Sequence, residues 1–516
     1  MSDTTRRHFQ WRVSRPASFP TRRLAAVAAL IVTLVGAGCA RPGSVTGSGP
    51  TAEAGQAETD ATTTYSAGTA RIVVAYNDET ANQATITYDA GNRKVLRGAS
   101  LMGWSYSDDA GASWKYGGKV APPPGWAVLW GDPAMTTSRT RYGWAYMSNL
   151  AFPDAKFPAG GISGFVGPAV GGACIARSTD GGVTFRHFQC VTNKDPIVDV
   201  ADAAKGHFYD GGSMASGPRG EIFASFVDTD DHQIDIWRSP DGNAPFTRLP
   251  PPFPRYYVGL HPRIRVGPDG TLFVMTIARL LGSSQPYMLA ANRFSNGVWG
   301  DPKLVMFIEV QPEIDFGTSV FGAPLKIRTG PQYSFDVGTA SSDHDDSVRF
   351  MVTQKNDRGW FFIRGGICDY GLRSCGWYEG WTFGVSRVGD RDAPRLDVFN
   401  PNVAAFPGFF FGIAPRWQGS MLTRYGNATS TLNLTRGTLG YLGPAPFTVP
   451  VDIAKNAPVC SDLRGYWGDY DGFLSVQVDS DNVRFMRFMT DSSNGCPRRW
   501  RFVGEHQHVR AVDYWF

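Results

Sequence analysis

Long helical patterning is missing from this chain. No extended stretch of its 516 residues repeats apolar positions with a helical period, which weighs against helical bundles. A glycine-rich phosphate loop opening a helix is also absent, as are a His-Glu-x-x-His metal motif and a Gly-x-Ser-x-Gly nucleophile elbow. Phosphoryl transfer, zinc peptidase chemistry and serine-hydrolase chemistry therefore have no sequence foothold. Cysteines number only seven, with no CxxC and no clustered histidines beside them, so a zinc site is a weak reading. What the chain does have is 60 glycines, 35 prolines and 13% aromatics. That mixture predicts an all-β architecture with many turns.

The first residues read as an export segment. Arg6-Arg7-His8-Phe9 resembles a twin-arginine motif, and Arg22-Arg23 abuts the apolar run from Leu24 to Val35. About a dozen residues are too few for a permanent span but suit a signal sequence of the general or twin-arginine type. The run ends in Gly36-Ala37-Gly38-Cys39, which resembles a lipobox and predicts lipidation at Cys39. Ordinary signal cleavage nearby, releasing the protein, is the alternative. Residues 1–39 carry six Arg and one Asp, so their removal takes the formal charge from +4 to about −1. A near-neutral chain has no broad basic field, and nucleic acid is not expected as a partner.

Six cysteines remain beyond Cys39, an even number that suits disulfides in an exported protein. Proximity favours Cys174–Cys190, Cys368–Cys375 and Cys460–Cys496 among the alternatives. Residues 40–70, rich in Ala, Gly, Thr and Ser, read as a flexible tether. The domain proper is expected over 71–516.

Within it one turn recurs. Ser107-Asp108-Asp109-Ala110-Gly111-Ala112-Ser113-Trp114 and Ser178-Thr179-Asp180-Gly181-Gly182-Val183-Thr184-Phe185 share a Ser-x-Asp-x-Gly-x-Ser/Thr-aromatic pattern. Ser239-Pro240-Asp241-Gly242-Asn243-Ala244-Pro245-Phe246 is a worn copy. Each follows a strand-like run, so one supersecondary unit is repeated along the chain. The Asp bonds backbone N–H groups of its own turn, Gly supplies positive φ, and the aromatic plugs the neighbouring apolar layer. Other units begin near Arg71, Gly131, Gly211, His261, Tyr333, Pro401 and Trp467. Units of roughly 60 residues hold four strands each, as propeller blades do. Seven blades are expected, or six if the terminal units share one.

The turns resemble the Asp-box of the sialidase (neuraminidase) superfamily, and the likeness covers most of residues 70–516. It implies a β-propeller of four-stranded blades with its site around the central channel, on the face away from the Asp-boxes. Residues at the starts of the predicted inner strands suit a sugar. These are Trp130-Gly131-Asp132, Asp210, His261, Arg263, Tyr333, Asn402 and Trp467-Gly468-Asp469-Tyr470. Arg279 and Arg416 reach the same rim. Aromatic faces stack on sugar rings, carboxylates bond hydroxyls or move protons, and guanidinium pairs with carboxylate. Each also has a plain structural role available, as a turn residue or a solvated charge.

Enzymes of the superfamily use an arginine triad, a Tyr nucleophile assisted by Glu, and an Asp acid/base. Here Arg71-Ile72-Val73 lacks the aromatic and proline of the motif that supplies the first arginine, and no Tyr–Glu pair can be assigned. Two hypotheses follow. The first is an exported, lipid-anchored, monomeric glycoside hydrolase of the exo-α-sialidase type acting on an acidic or envelope glycan. Arg263, Arg279 and Arg416 would meet substrate charge, and Trp130, Trp467, Asp210 and His261 would bind sugar. Asp132 or Asp469 would be acid/base, with Tyr333 and Tyr470 as further catalytic candidates. The second is a catalytically silent propeller that binds a glycan or a protein through the same mouth. No cofactor is required. The clusters Asp228-Thr229-Asp230-Asp231 and Asp343-His344-Asp345-Asp346 offer calcium-type oxygens, but neither is an EF-hand loop, and solvated hairpin tips are the alternative.

Overall fold

The computed structural model describes residues 99–153, 171–192, 209–228, 232–255, 257–280, 287–308, 333–339, 346–355 and 361–383, and elsewhere the strands lying between residues 43 and 515. Every regular element among them is a strand. Most belong to antiparallel meanders. The first runs through Gln56–Ser66, Thr69–Asp78, Met102–Ser107 and Lys115–Lys119, and the second through Trp126–Thr137, Ala145–Pro153, Gly172–Ser178 and Arg186–Val191. A third spans Tyr209–Arg248, a fourth Tyr257–Phe307, and a fifth Tyr333–Phe383. Further sheets follow over Leu396–Val451 and Gly472–Trp515.

The inner strand of each sheet lies beside that of the next, Asn402–Phe406 taking this place in the sheet over Leu396–Val451, and Gly472–Gln477 returns beside Gln56–Ser66. Such a closed succession of inner strands makes the fold a β-propeller. Gly43–Ser44 pairs with the strand His508–Trp515 and completes the last sheet from the opposite end of the chain. That pairing covers an edge that would otherwise stay open.

The chain enters the fold earlier than its composition suggests. Residues 56–66 are the innermost strand of the first sheet, paired along their length with Thr69–Asp78, so the tether expected through residue 70 is shorter. The reason lies in the sequence Gln-Ala-Glu-Thr-Asp-Ala-Thr-Thr-Thr-Tyr-Ser. A strand lining a polar channel needs little apolar surface, and its alternation is weak for that reason.

The core lies between sheets rather than within one. Val73, Ala75, Leu129, Met147 and Cys174 form one layer between the first and second sheets. Tyr146, Ile175, Ile222 and Phe226 form the next. Phe185 and Phe246, the aromatic ends of two Asp-boxes, are buried in these layers. Trp114, the third, packs against the cluster around Ile72 and Val74.

Hydrogen bonding explains why the turn recurs. The Ser178 hydroxyl donates to Asp180 Oδ1 at 2.7 Å, while Gly182 N donates to Ser178 Oγ at 2.8 Å. Thr184 closes the ring, its N–H reaching Asp180 Oδ1 at 2.9 Å and its hydroxyl reaching Oδ2 at 2.6 Å. Ser107, Asp109, Gly111 and Ser113 repeat the network. In the worn copy Asp241 still accepts from Asn243 N and Ala244 N, but the Ser239 hydroxyl turns to the Ala244 carbonyl.

The second and third turns also reach the preceding sheet. Arg71 donates to the carbonyls of Asp180 and Gly181 at 3.0 and 3.1 Å, and the Tyr146 hydroxyl donates to the Gly242 carbonyl at 2.8 Å. The Asp-boxes thus fasten sheets to one another as well as reversing the chain.

A fourth turn at the same place in its sheet carries no recognisable box. Asp369 accepts Arg373 N at 2.6 Å and Ser374 N at 3.1 Å. Asp369 stands at the strand end where the other turns use Ser, and the disulfide Cys368–Cys375 ties the two strands together beside it. Cys174–Cys190 is the second disulfide, bridging paired strands of the second sheet. The pairing expected between Cys460 and Cys496 lies outside the described residues, as does Cys39.

Candidate functional site

Three successive inner strands carry the same defect. Their pairing skips between Leu150 and Ser148 opposite Gly131–Ala134, between Asp210 and Ser213, and between Leu260 and Arg263. The bulged residue after each skip is left-handed, with φ of 52° at Asp132, 52° at Gly211 and 47° at His261. Asp132, Gly211 and His261 are therefore equivalent positions in three neighbouring sheets. A non-glycine residue held there costs on the order of 1 kcal/mol and persists only where its surroundings fix it. Asn77 Oδ1 accepts the Asp132 N–H at 2.9 Å, and the Tyr333 hydroxyl donates to the His261 carbonyl at 2.7 Å. Bulges re-aim strands, and here they open the channel wall.

Beside these bulges lies a cavity of about 300 Å³. Its walls come from the inner strands of five consecutive sheets and include Asp60, Arg139, His261, Arg263, Arg265 and Asp336. It runs from the bulges to the strand ends at Thr136, Ser216 and Val266. The hairpin turns leaving those ends sit against the Asp-boxes, since Gly181 N donates to the Gly143 carbonyl at 2.8 Å. The cavity therefore extends toward the Asp-box side of the channel, whereas the sequence points to the opposite rim.

Its electrostatics are mixed and dense. Burial raises the pKa of Asp60 above the ordinary carboxylate value, opposed by hydrogen bonds from Met135 N and Ala61 N and by the charges of Arg265 and Arg263. Those bonds measure 2.7 Å from Met135 and 2.9 Å from Ala61. Asp336 accepts the Val337 N–H at 2.9 Å and sits 3.6 Å from Arg265 Nε in a cross-sheet ion pair. Arg265 also donates to the Ile264 carbonyl at 2.9 Å, and Arg139 donates to the Val266 carbonyl at 3.4 Å. The Arg263 guanidinium lies 6.0 Å from the centre of the Tyr333 ring.

Of the residues singled out in the sequence, His261 and Arg263 line this cavity, and Asp132 adjoins it through Pro133. Tyr333 does not line it. Its side chain is fully buried, and its hydroxyl, with one hydrogen to give, lies between the carbonyls of His261 and Met275 at 2.7 and 2.5 Å and accepts Arg263 N. Burial first of all pushes its pKa well up, the opposite of what a phenolate nucleophile requires. Trp130 packs edge-on against Phe152 at 6.0 Å within an inter-sheet layer. Asp210 caps its own bulge through Gly211 N at 2.9 Å, and Arg279 is exposed beside Tyr287. Arg416 lies on the strand Phe409–Ser420, opposite Arg436. Asp469, Tyr470 and Trp467 lie outside the described residues. So do Asp230, Asp231 and Asp343 to Asp345 of the acidic clusters.

Sequence reading missed Asp60, Arg139 and Arg265 as site residues. A signal for Arg265 exists, because Arg263-Ile264-Arg265 puts both guanidinium groups on one strand face. Asp60 carried none, being assigned to the tether.

No family model and no curated protein matches the sequence. Among solved structures it is similar to a protein of unknown function from Dyadobacter fermentans (12% identity, TM-score 0.43), covering 92% of this chain and 97% of that one. A second is the intramolecular trans-sialidase of Ruminococcus gnavus (11% identity, TM-score 0.42), covering 69% of this chain and 89% of that one. A third is an α-L-arabinanase of Penicillium chrysogenum (8% identity, TM-score 0.43), covering 92% and 98%. At these scores the argument for fold rests on the sheets themselves, and that for function on the cavity.

Proposed function

We propose that this protein is an exported glycoside hydrolase that takes the terminal acidic sugar of a glycan into its central cavity. The observation that carries the reading is the convergence of Arg139, Arg263 and Arg265 with a carboxyl whose pKa is raised, Asp60, on one small space. A volume of about 300 Å³ is at the low end for ligand sites and suits one sugar residue rather than a chain. Arginines supply the planar, paired donors that a sugar carboxylate accepts. Asp60, its pKa raised by burial, takes the role of general acid toward the glycosidic oxygen, and Asp336 that of the second carboxylate. The scheme uses no cofactor.

The same proposal covers features beyond the cavity. The succession of inner strands favours seven blades over six, and the two disulfides suit an oxidising compartment reached by an export signal. Lipidation at Cys39 and a monomeric state belong to this reading too.

A second reading has one observation in its favour. Among the described residues neither Tyr nor Glu lines the cavity, and a binding-only propeller would need no Tyr–Glu nucleophile pair. Hydrolysis of fluorogenic acidic-sugar glycosides by the mature protein, alongside calorimetric binding of the free sugars, separates the two. Turnover that disappears in Asp60→Asn while binding persists supports the hydrolase. Binding without turnover in the wild type supports the silent propeller. Absence of both removes the acidic-glycan reading. Asp132→Asn and Asp469→Asn test the remaining acid/base candidates in the same assay.

A further inference from the structure

Outside the cavity, three ligating side chains meet on the outer part of the second sheet. Cys174, His187 and Cys190 bring their sulfur and imidazole nitrogen atoms within 4.8 Å of one another. Cys174 and Cys190 face each other across paired strands and form a disulfide. His187 Nε2 lies 3.6 Å from Cys190 Sγ, while its Nδ1 is enclosed and has no hydrogen-bond partner.

This meeting is not what a regular strand gives. Residues three apart on a strand point to opposite faces, so His187 and Cys190 should be separated by the sheet. The register shifts at Phe188, where Ile175 pairs with Gln189 and Ala176 with His187. That extra residue turns His187 onto the face of Cys190. Phe188 goes the other way, meeting Phe246 edge-on at 6.1 Å. Ala176, directly across from His187, is small and leaves the imidazole room.

We propose that reduction of the Cys174–Cys190 disulfide opens a site for a thiophilic metal ion of the zinc class, with His187 as third ligand. Two thiolates and one imidazole form a zinc-type donor set, with water in the fourth position. The step balances with a dithiol as reductant. The dithiol gives two electrons and two protons, leaving as its own disulfide, and two Cys thiols result. Binding of the metal to both sulfurs then releases those two protons. Half-exposed His187 and Cys190 give the reductant and the metal access. In the oxidised protein the sulfurs are consumed by each other; in the reduced one the metal replaces the staple between the same two strands.

The test uses the full chain carrying Cys368→Ser and Cys375→Ser, so that the other observed disulfide contributes no thiols. Opening of Cys174–Cys190 by a phosphine reductant is verified by alkylation and peptide mass. Cobalt(II) is then titrated as probe, followed by displacement with zinc. Thiolate-to-cobalt charge-transfer absorption after reduction, and none before it, is the expected result. His187→Gln, checked for fold by circular dichroism, should bind at least about tenfold more weakly. Cys174→Ser with Cys190→Ser should abolish the signal. A verified reduced protein that takes up no cobalt overturns the proposal, as does undiminished affinity in His187→Gln.

Discussion

The Asp-box turns and the channel cavity both depend on aspartate, yet they treat it in opposite ways. At Asp180 burial pulls the carboxyl upward, but bonds from Thr184 and Ser178 outweigh it and hold the pKa below the ordinary value. Asp109 behaves alike, with Ser113 and Ser107 as donors. At Asp60 burial wins over two backbone donors and two arginines, and the pKa is raised. The difference is a matter of donors against desolvation. A turn carboxylate satisfied from its own loop is committed to being charged. A channel carboxyl that keeps its proton longer is available for acid chemistry. The turns use Asp for geometry, and the channel offers one for reactivity.

The sharpest way to test that division is to remove charge from the cavity. Arg263→Ala should weaken acidic-sugar binding by at least about 30-fold, as losing one member of a buried charged contact does. Its melting temperature should change little, because the guanidinium lines the cavity and its inter-sheet contact with the Tyr333 ring is a long one at 6.0 Å. Calorimetry and thermal denaturation on the same samples check both halves.

Next in size is a change at the turns. Gly182 has φ of +84°, and an added Cβ would come 2.4 Å from Val73 Cγ2 on the neighbouring sheet. Gly182→Ala should cost about 2–3 kcal/mol through left-handed strain and overpacking together, while sugar affinity is unchanged. Denaturant unfolding measures the first and calorimetry the second. Asp180→Ala should cost about 1–2 kcal/mol, comparable to losing a helix cap. Asp241→Ala should cost less than Asp180→Ala, since the worn turn has already lost its Ser–Asp bond. Equal losses at the two sites would mean that the side-chain ring adds nothing beyond the backbone bonds.

The two regions were unequally legible in the sequence. The turns could be read because their chemistry is local: Ser178, Asp180, Gly182 and Thr184 lie within seven residues and complete one another's hydrogen bonds. Even so, the turn at Asp369 escaped notice, because Asp369 itself takes the place of the Ser and the pattern broke. The cavity is non-local. Asp60 and Met135 are 75 residues apart, yet bonded at 2.7 Å, and nothing near Asp60 marks it as an inner-strand residue. Tyr333 misled for the converse reason. Its position at the start of an inner strand is shared with site residues, but its hydroxyl is buried against backbone of the adjacent sheet. Bulges were invisible as well, although Asp132 and His261 stand in them. Strand register is a property of the pair, and one strand alone does not announce it.

The smallest effect expected is in pH dependence, and its sign separates the two kinds of aspartate. Asp180 has a folded pKa below its unfolded value. Its contribution to stability is complete above the unfolded value, near about 3.9, and is lost as pH falls through the folded value. Asp60 has a folded pKa above its unfolded value. The folded state then binds the extra proton, so Asp60 favours folding in acid, and that advantage fades as pH rises through the raised value. Melting temperatures of wild type, Asp180→Asn and Asp60→Asn between about pH 3 and pH 7 resolve the two. Asp180→Asn should flatten the rise in stability on leaving acid, and Asp60→Asn should steepen it. If both substitutions bend the curve in the same direction, the turn and the cavity do not differ electrostatically, and the case for Asp60 as the proton donor falls with that distinction.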